Sequence, residues 1–83
     1  MNELNELKQF QAVLQIISSR LVQMIAKEMR ISDRQALNLL YSSILYEKLE
    51  REETKVWHLS VPTLFELFIE EQETGKIIFP EEA

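Results

Sequence analysis

Apolar residues recur along the first third of the chain at Leu7, Phe10, Leu14, Ile17, Leu21 and Met24, with spacings that alternate between three and four. That alternation keeps all of them on one side of an α-helix, so the pattern predicts one helix over residues 3–30. Val13, Ile16, Val22, Ile25 and Met29 widen the apolar face, and Gln11, Gln15, Ser18, Gln23, Lys27 and Arg30 fill the opposite side. An arc this broad suits a helix covered by two neighbours, one of which would belong to another subunit. No glycine or proline interrupts it. About 27 residues of helix extend roughly 40 Å, longer than the body of so small a domain. Pairing with a second copy would support the free end, and a hinge at Ser18-Ser19 is the competing solution.

A helix boundary follows. Ser32 is placed to accept from the amide three residues on and Gln35 to reach back, the reciprocal arrangement of a capping box. Ile31 and Ala36 are placed for the accompanying apolar clasp, and Asp33 lies where the helix dipole favours an anion. The second helix is expected to run to about Arg51. Its buried face is read as Ala36, Leu37, Leu40, Tyr41, Ile44, Leu45 and Leu49, with the small Ser42-Ser43 letting another helix approach and Glu47 paired to Arg51 four residues on. Val56, Trp57 and Leu59 around His58 then read as an extended arm, with a strand and an ordered connector both open.

Ser60 caps a third helix, and Pro62 lies in its first turn, where a missing N–H costs nothing. Leu64, Phe65, Leu67, Phe68 and Ile69 supply apolar residues, and Glu70, Glu71, Gln72 and Glu73 form the outer end. Gly75, the only glycine, suits a left-handed stop. A second extended arm at residues 77–79 leads to Pro80, and residues 81–83 read as a frayed end. The expected architecture is all-α and a single helical domain over residues 1–83: a three-helix bundle with a long first helix and two short extended arms flanking the third.

Composition sharpens the question of what holds so short a chain together. A domain of 83 residues buries only about 60% of the surface its unfolded chain exposes. There is no cysteine and only one histidine, so disulfides, thiolate zinc sites and His-rich metal sites are excluded as staples within one chain. Oligomerisation or an unusually apolar set of helices remains, and the 46% hydrophobic content fits either. The net charge of −5 is uneven: residues 1–46 balance to +1 and residues 47–83 to −6. The C-terminal half should repel nucleic acid and anionic lipid and favour a basic protein surface, although glutamates on solvated helix faces also serve solubility alone. Glu3 and Glu6 argue against a signal peptide, and no run of about 18 apolar residues offers a membrane span. The expected location is the cytoplasm.

The vocabulary of catalysis is thin. A Ser-His-acid arrangement would have to use His58, and Ser60 belongs more plausibly to a helix cap. One glycine cannot build a phosphate cradle. Glu70, Glu71 and Glu73 lie at the outer end of a helix, with no water-excluded pocket expected to raise a carboxyl pKa. Di-metal carboxylate sites pair glutamates with Glu-x-x-His, which the chain lacks. No enzymatic activity, metal or cofactor is expected.

Residues 24–41 have the outline of a helix-turn-helix, with Arg30, Arg34, Gln35 and Asn38 near one helix start. This gives an alternative reading as a small transcription regulator. The turn lacks glycine and the chain is acidic where a nucleic-acid footprint is basic, so nucleic acid is not the expected partner. Protein binding is the class best supported. The candidate partner-binding residues are Trp57, His58, Phe65, Glu70, Glu71 and Phe79, against the plainer alternative that the aromatics fill the domain's own core. The expected partners are a protein with a basic surface and a second copy meeting through the first helix.

The run Trp57-His58-Leu59-Ser60, the helix carrying Leu64-Phe65-Glu66-Leu67 and the exit Thr74-Gly75-Lys76 resemble the C-terminal part of a family of small bacterial helical proteins of unknown function. Some of these are encoded in cassettes like those of toxin–antitoxin pairs. The resemblance covers about a third of the chain. It implies a non-enzymatic bacterial interaction protein, antitoxin-like in role, and carries no site residues with it.

Overall fold

The structure, a computed structural model, describes residues 3–80. The expectation of a frayed end at residues 81–83 lies outside them. The fold is all-α. Helix α1 (Glu3–Met29) is followed by α2 (Asp33–Tyr41), α3 (Ile44–Leu49) and α4 (Val61–Thr74), with two 3-10 turns, Glu52–Thr54 and Val56–His58, between α3 and α4. No helix among the described residues is long and apolar enough to cross a membrane.

Helix α1 is unbroken through Ser18-Ser19, so the hinge is absent and the helix alone accounts for most of the 43 Å long dimension. Its stripe buries Ile17, Leu21 and Ile25 against Ala36 and Leu40 of α2, Leu45 and Leu49 of α3, and Leu64, Leu67 and Phe68 of α4, with Val56 closing the floor. Phe68 is the largest of the fully buried side chains. At its C-terminus α1 reverses through Arg30, which adopts φ 57°, and the Ile31 amide donates back to Ala26 O at 3.0 Å. That closing bond is the six-to-one bond of a Schellman stop, made with arginine where glycine is usual. The Ser32–Gln35 capping box forms as the sequence predicts: Gln35 N–H donates to Ser32 Oγ at 3.1 Å and Ser32 N–H to Gln35 Oε1 at 3.0 Å.

The second predicted helix is two helices. Ser43 is extended, at φ −85° and ψ 155°, and caps α3 by accepting from Tyr46 N–H. Serine competes for backbone bonds at caps better than it tolerates a helix interior, and this pair of serines takes the cap. The break resets the helical register. Ala36, Leu40, Leu45 and Leu49 point inward, while Tyr41 and Ile44, expected in the core, are 55% and 39% exposed. The expected Glu47–Arg51 pair does not form, because α3 ends at Leu49; Arg51 Nε instead meets Glu53 at 3.0 Å.

Residues 55–59 are likewise not an extended arm. Lys55, at φ 60°, joins the two 3-10 turns. The Thr54 hydroxyl, within bonding distance of Lys48 O and Arg51 O, ties them to the end of α3 and accepts from Val56 N–H. Residues 77–79 carry no regular element, and no strand occurs among the described residues.

Helix α4 begins as expected, with Thr63 N–H donating to Ser60 Oγ and Pro62 in the first turn. It stops at Gly75, where φ is 76° and the amide donates to Glu71 O at 2.7 Å. A Cβ at Gly75 would meet nothing within 4 Å. Gly75→Ala should therefore destabilise through the left-handed backbone alone, by about 1 kcal/mol, read as a lower urea midpoint with an unchanged slope.

Candidate functional site

The structure divides the six sequence-predicted residues into two places. Trp57 sits on the second 3-10 turn, its indole N–H donating to Glu52 O at 2.9 Å. The edge-to-face contact with Phe10, at 5.4 Å between ring centroids and 65° between planes, fastens this turn to the first helix. His58 is exposed and meets the same indole edge-on at 4.1 Å. Lys55 Nζ lies 5.8 Å from the indole centroid and 3.2 Å from Glu52, so the indole face carries a cation that is already ion-paired. Phe79 is half-buried against the core and borders a small cavity with Val56 and Leu59. Trp57, His58 and Phe79 are thus gathered around one connector.

A groove of about 410 Å³ opens between this connector and α1. Phe10, Val13 and Trp57 form its apolar wall, and Glu6, Glu52 and Lys55 its rim. Such a groove can seat one or two apolar side chains flanked by polar ones. Phe65 stands apart from it, half-buried on α4 and packed against the core.

Glu70 and Glu71 lie roughly 15 Å further along α4 from its start, and Glu71 is occupied. Its carboxylate accepts from Ile44 N–H at 2.7 Å and from Leu45 N–H at 3.0 Å. These are the first two amides of α3, which have no partner within their own helix. Tyr46 N–H goes to Ser43 Oγ and Ser43 N–H to Leu40 O, so all four orphan amides of α3 are satisfied, two of them by a residue more than twenty-five positions away. The sequence contains no local signal for this bond.

A further group, missed by sequence reasoning, lies on the opposite side of α1. Ser18 Oγ is buried with no hydrogen-bond partner among the described residues, and the phenol of Tyr46 approaches it. Burial pushes the Tyr46 phenol above its ordinary value; the Ser18 hydroxyl works the other way, and Tyr41 and Glu50 add to the rise. The Tyr41 and Tyr46 rings stack at 4.8 Å with a 41° tilt, which leaves Tyr41 standing outward. The paired serines at 42 and 43 were the available signal, since two cap-forming residues inside an apolar run mark a possible break.

For the alternative helix-turn-helix, the structure gives residues 24–29 to the continuous α1, and the Gln35 carboxamide is engaged in the capping box. Comparison with family models, with curated proteins and with solved structures finds no match to this chain.

Removing one acceptor oxygen at α3's start should be felt across the domain. Glu71→Gln is expected to destabilise by about 1–2 kcal/mol in urea unfolding, while Glu70→Gln stays within about 0.5 kcal/mol. Tyr46 sets a limit at alkaline pH. Because the folded state holds the phenolic proton to higher pH than the unfolded chain does, stability should fall as pH rises above the ordinary phenol value of 10.0. Thermal melts across that range should show a shallower fall for Tyr46→Phe than for the parent.

Proposed function

We propose that this chain is a non-enzymatic, acidic, helical protein-interaction module that pairs with a second copy of itself through the N-terminal third of α1. The observation that carries this reading is the uncovered end of the α1 stripe. Ile17, Leu21 and Ile25 lie under α2, α3 and α4, Phe10 is covered by Trp57, and beyond it Leu7 is 51% exposed, although it continues the same apolar spacing. Val13, 37% exposed, flanks it and lines the Trp57 groove. A stripe that is core at one end and solvated at the other is what an obligate monomer avoids, because the exposed turns cost solubility and gain no burial. Packing the two uncovered ends against each other, with the Trp57 groove receiving the partner's Leu7, supplies that burial.

The role of neutralising member of a toxin–antitoxin pair, in the bacterial cytoplasm, fits such a module and rests on the sequence resemblance alone. No structural observation favours the transcription-regulator alternative. Light scattering across a concentration series is expected to show the mass rising from one chain to two. Leu7→Glu with Val13→Glu should weaken that association roughly tenfold or more without changing the helical circular dichroism. A mass that stays at one chain to the highest concentration reached would reject pairing through α1.

A further inference from the structure

A second surface lies on the outer face of α2 and α3, apart from the Trp57 groove. Tyr41, at the end of α2, and Ile44, which the break at Ser42-Ser43 turns outward, are both exposed, and Tyr41 borders two shallow grooves. One, of about 280 Å³, runs against α1, with Ser18 and Val22 on one wall and Asp33 and Leu37 on the other. The second, of about 340 Å³, runs along α3 past Ile44, Glu47 and Glu50. The charged residues lining the two grooves are Asp33, Glu47 and Glu50, all carboxylates; the neighbouring Arg34 and Lys48 border neither. Among the described residues neither Glu47 nor Glu50 is ion-paired, and Arg51, which a continuous helix would have brought to Glu47, meets Glu53 instead. Ser18, on the wall of the first groove, holds the buried side-chain oxygen that lacks a partner among the described residues.

We infer that this face docks a basic amphipathic segment of another protein. Apolar side chains at helical spacing seat on either side of Tyr41, against Leu37 and Ile44, and flanking lysines or arginines meet Asp33 at one end and Glu47 and Glu50 at the other. An exposed tyrosine supplies large contact area at low entropic cost, the usual property of an interface anchor. The occupant is basic because every charge lining the grooves is negative, and it carries apolar anchors because Tyr41 and Ile44 form the centre. Nucleic acid offers neither feature. This inference rests on the reading of the chain as an interaction module, but on a face that self-pairing through α1 leaves open.

The test uses a synthetic amphipathic helix of about 18 residues with leucines on one face and lysines flanking them, and a counterpart with glutamate in place of lysine. Titrated into isotope-labelled full-length protein, the lysine peptide is expected to shift amides within residues 33–50 and at Ser18 and Val22. The glutamate counterpart should bind at least about tenfold more weakly. Tyr41→Ala, and separately Glu47→Lys with Glu50→Lys, should each weaken the lysine peptide by about tenfold or more, while Glu66→Lys with Glu73→Lys, the same charge change on α4, stays within about twofold. No binding, shifts centred on Trp57, or equal losses from the α3 and α4 reversals would overturn the proposal, the last by showing general attraction to an acidic chain. Light scattering on the same samples reports the α1 pairing independently, so failure of one reading is distinguished from failure of the other.

Discussion

The carboxylate of Glu71 on the amides of Ile44 and Leu45 is the bond on which the arrangement of the last three helices depends. A helix of six residues cannot nucleate on its own, since its first turn fixes several residues for a single hydrogen bond. α3 exists because both ends are fixed from outside it: Ser43 and Glu71 satisfy its start, and the Thr54 hydroxyl accompanies its last carbonyls. Without Glu71, the Ile44 and Leu45 amides would lose a charge-assisted pair of bonds, and α3 would lose its polar tie to α4. With it, α4 is locked to α3, and Leu64, Leu67 and Phe68 are held over Leu45 and Leu49.

The two surfaces arise from that one arrangement. Because α3 is a separate helix, Leu40 and Leu45 can both point inward while Ile44 turns out, beside the exposed Tyr41. Because the chain after α3 turns twice through tight 3-10 geometry instead of extending, Trp57 is brought back onto Phe10, which covers α1 to that point and no further.

Much of this fold was legible in the chain. The α1 stripe, the Ser32–Gln35 box, the Ser60–Pro62 start and the Gly75 stop are local signals, and each forms where its residues stand. What was not legible shares a cause: it depends on contacts between distant segments. Glu71 looked like one more surface glutamate because a side chain's bond to an amide many turns away has no periodic trace. The strand-like residue types of Val56, Trp57 and Leu59 point to an extended conformation, and a left-handed Lys55 overrides that preference. Ile44 belongs to the core only if helical spacing is counted through the break, and Ser42-Ser43 read equally well as small packing residues as they do as caps. Of the candidate residues, Trp57, His58 and Phe79 lie around the connector, whereas Glu71 is engaged within the fold.

The long reach of the Glu71 bond also orders events during synthesis. A chain growing from its N-terminus can complete α1, its left-handed stop at Arg30 and the capped start of α2 from neighbouring residues only. The start of α3 cannot be finished that way, since two of its amides wait for a side chain made near the end of α4. The start of α3 is therefore settled only after α4 has been made, and the surface around Ile44 takes its final form no earlier than that.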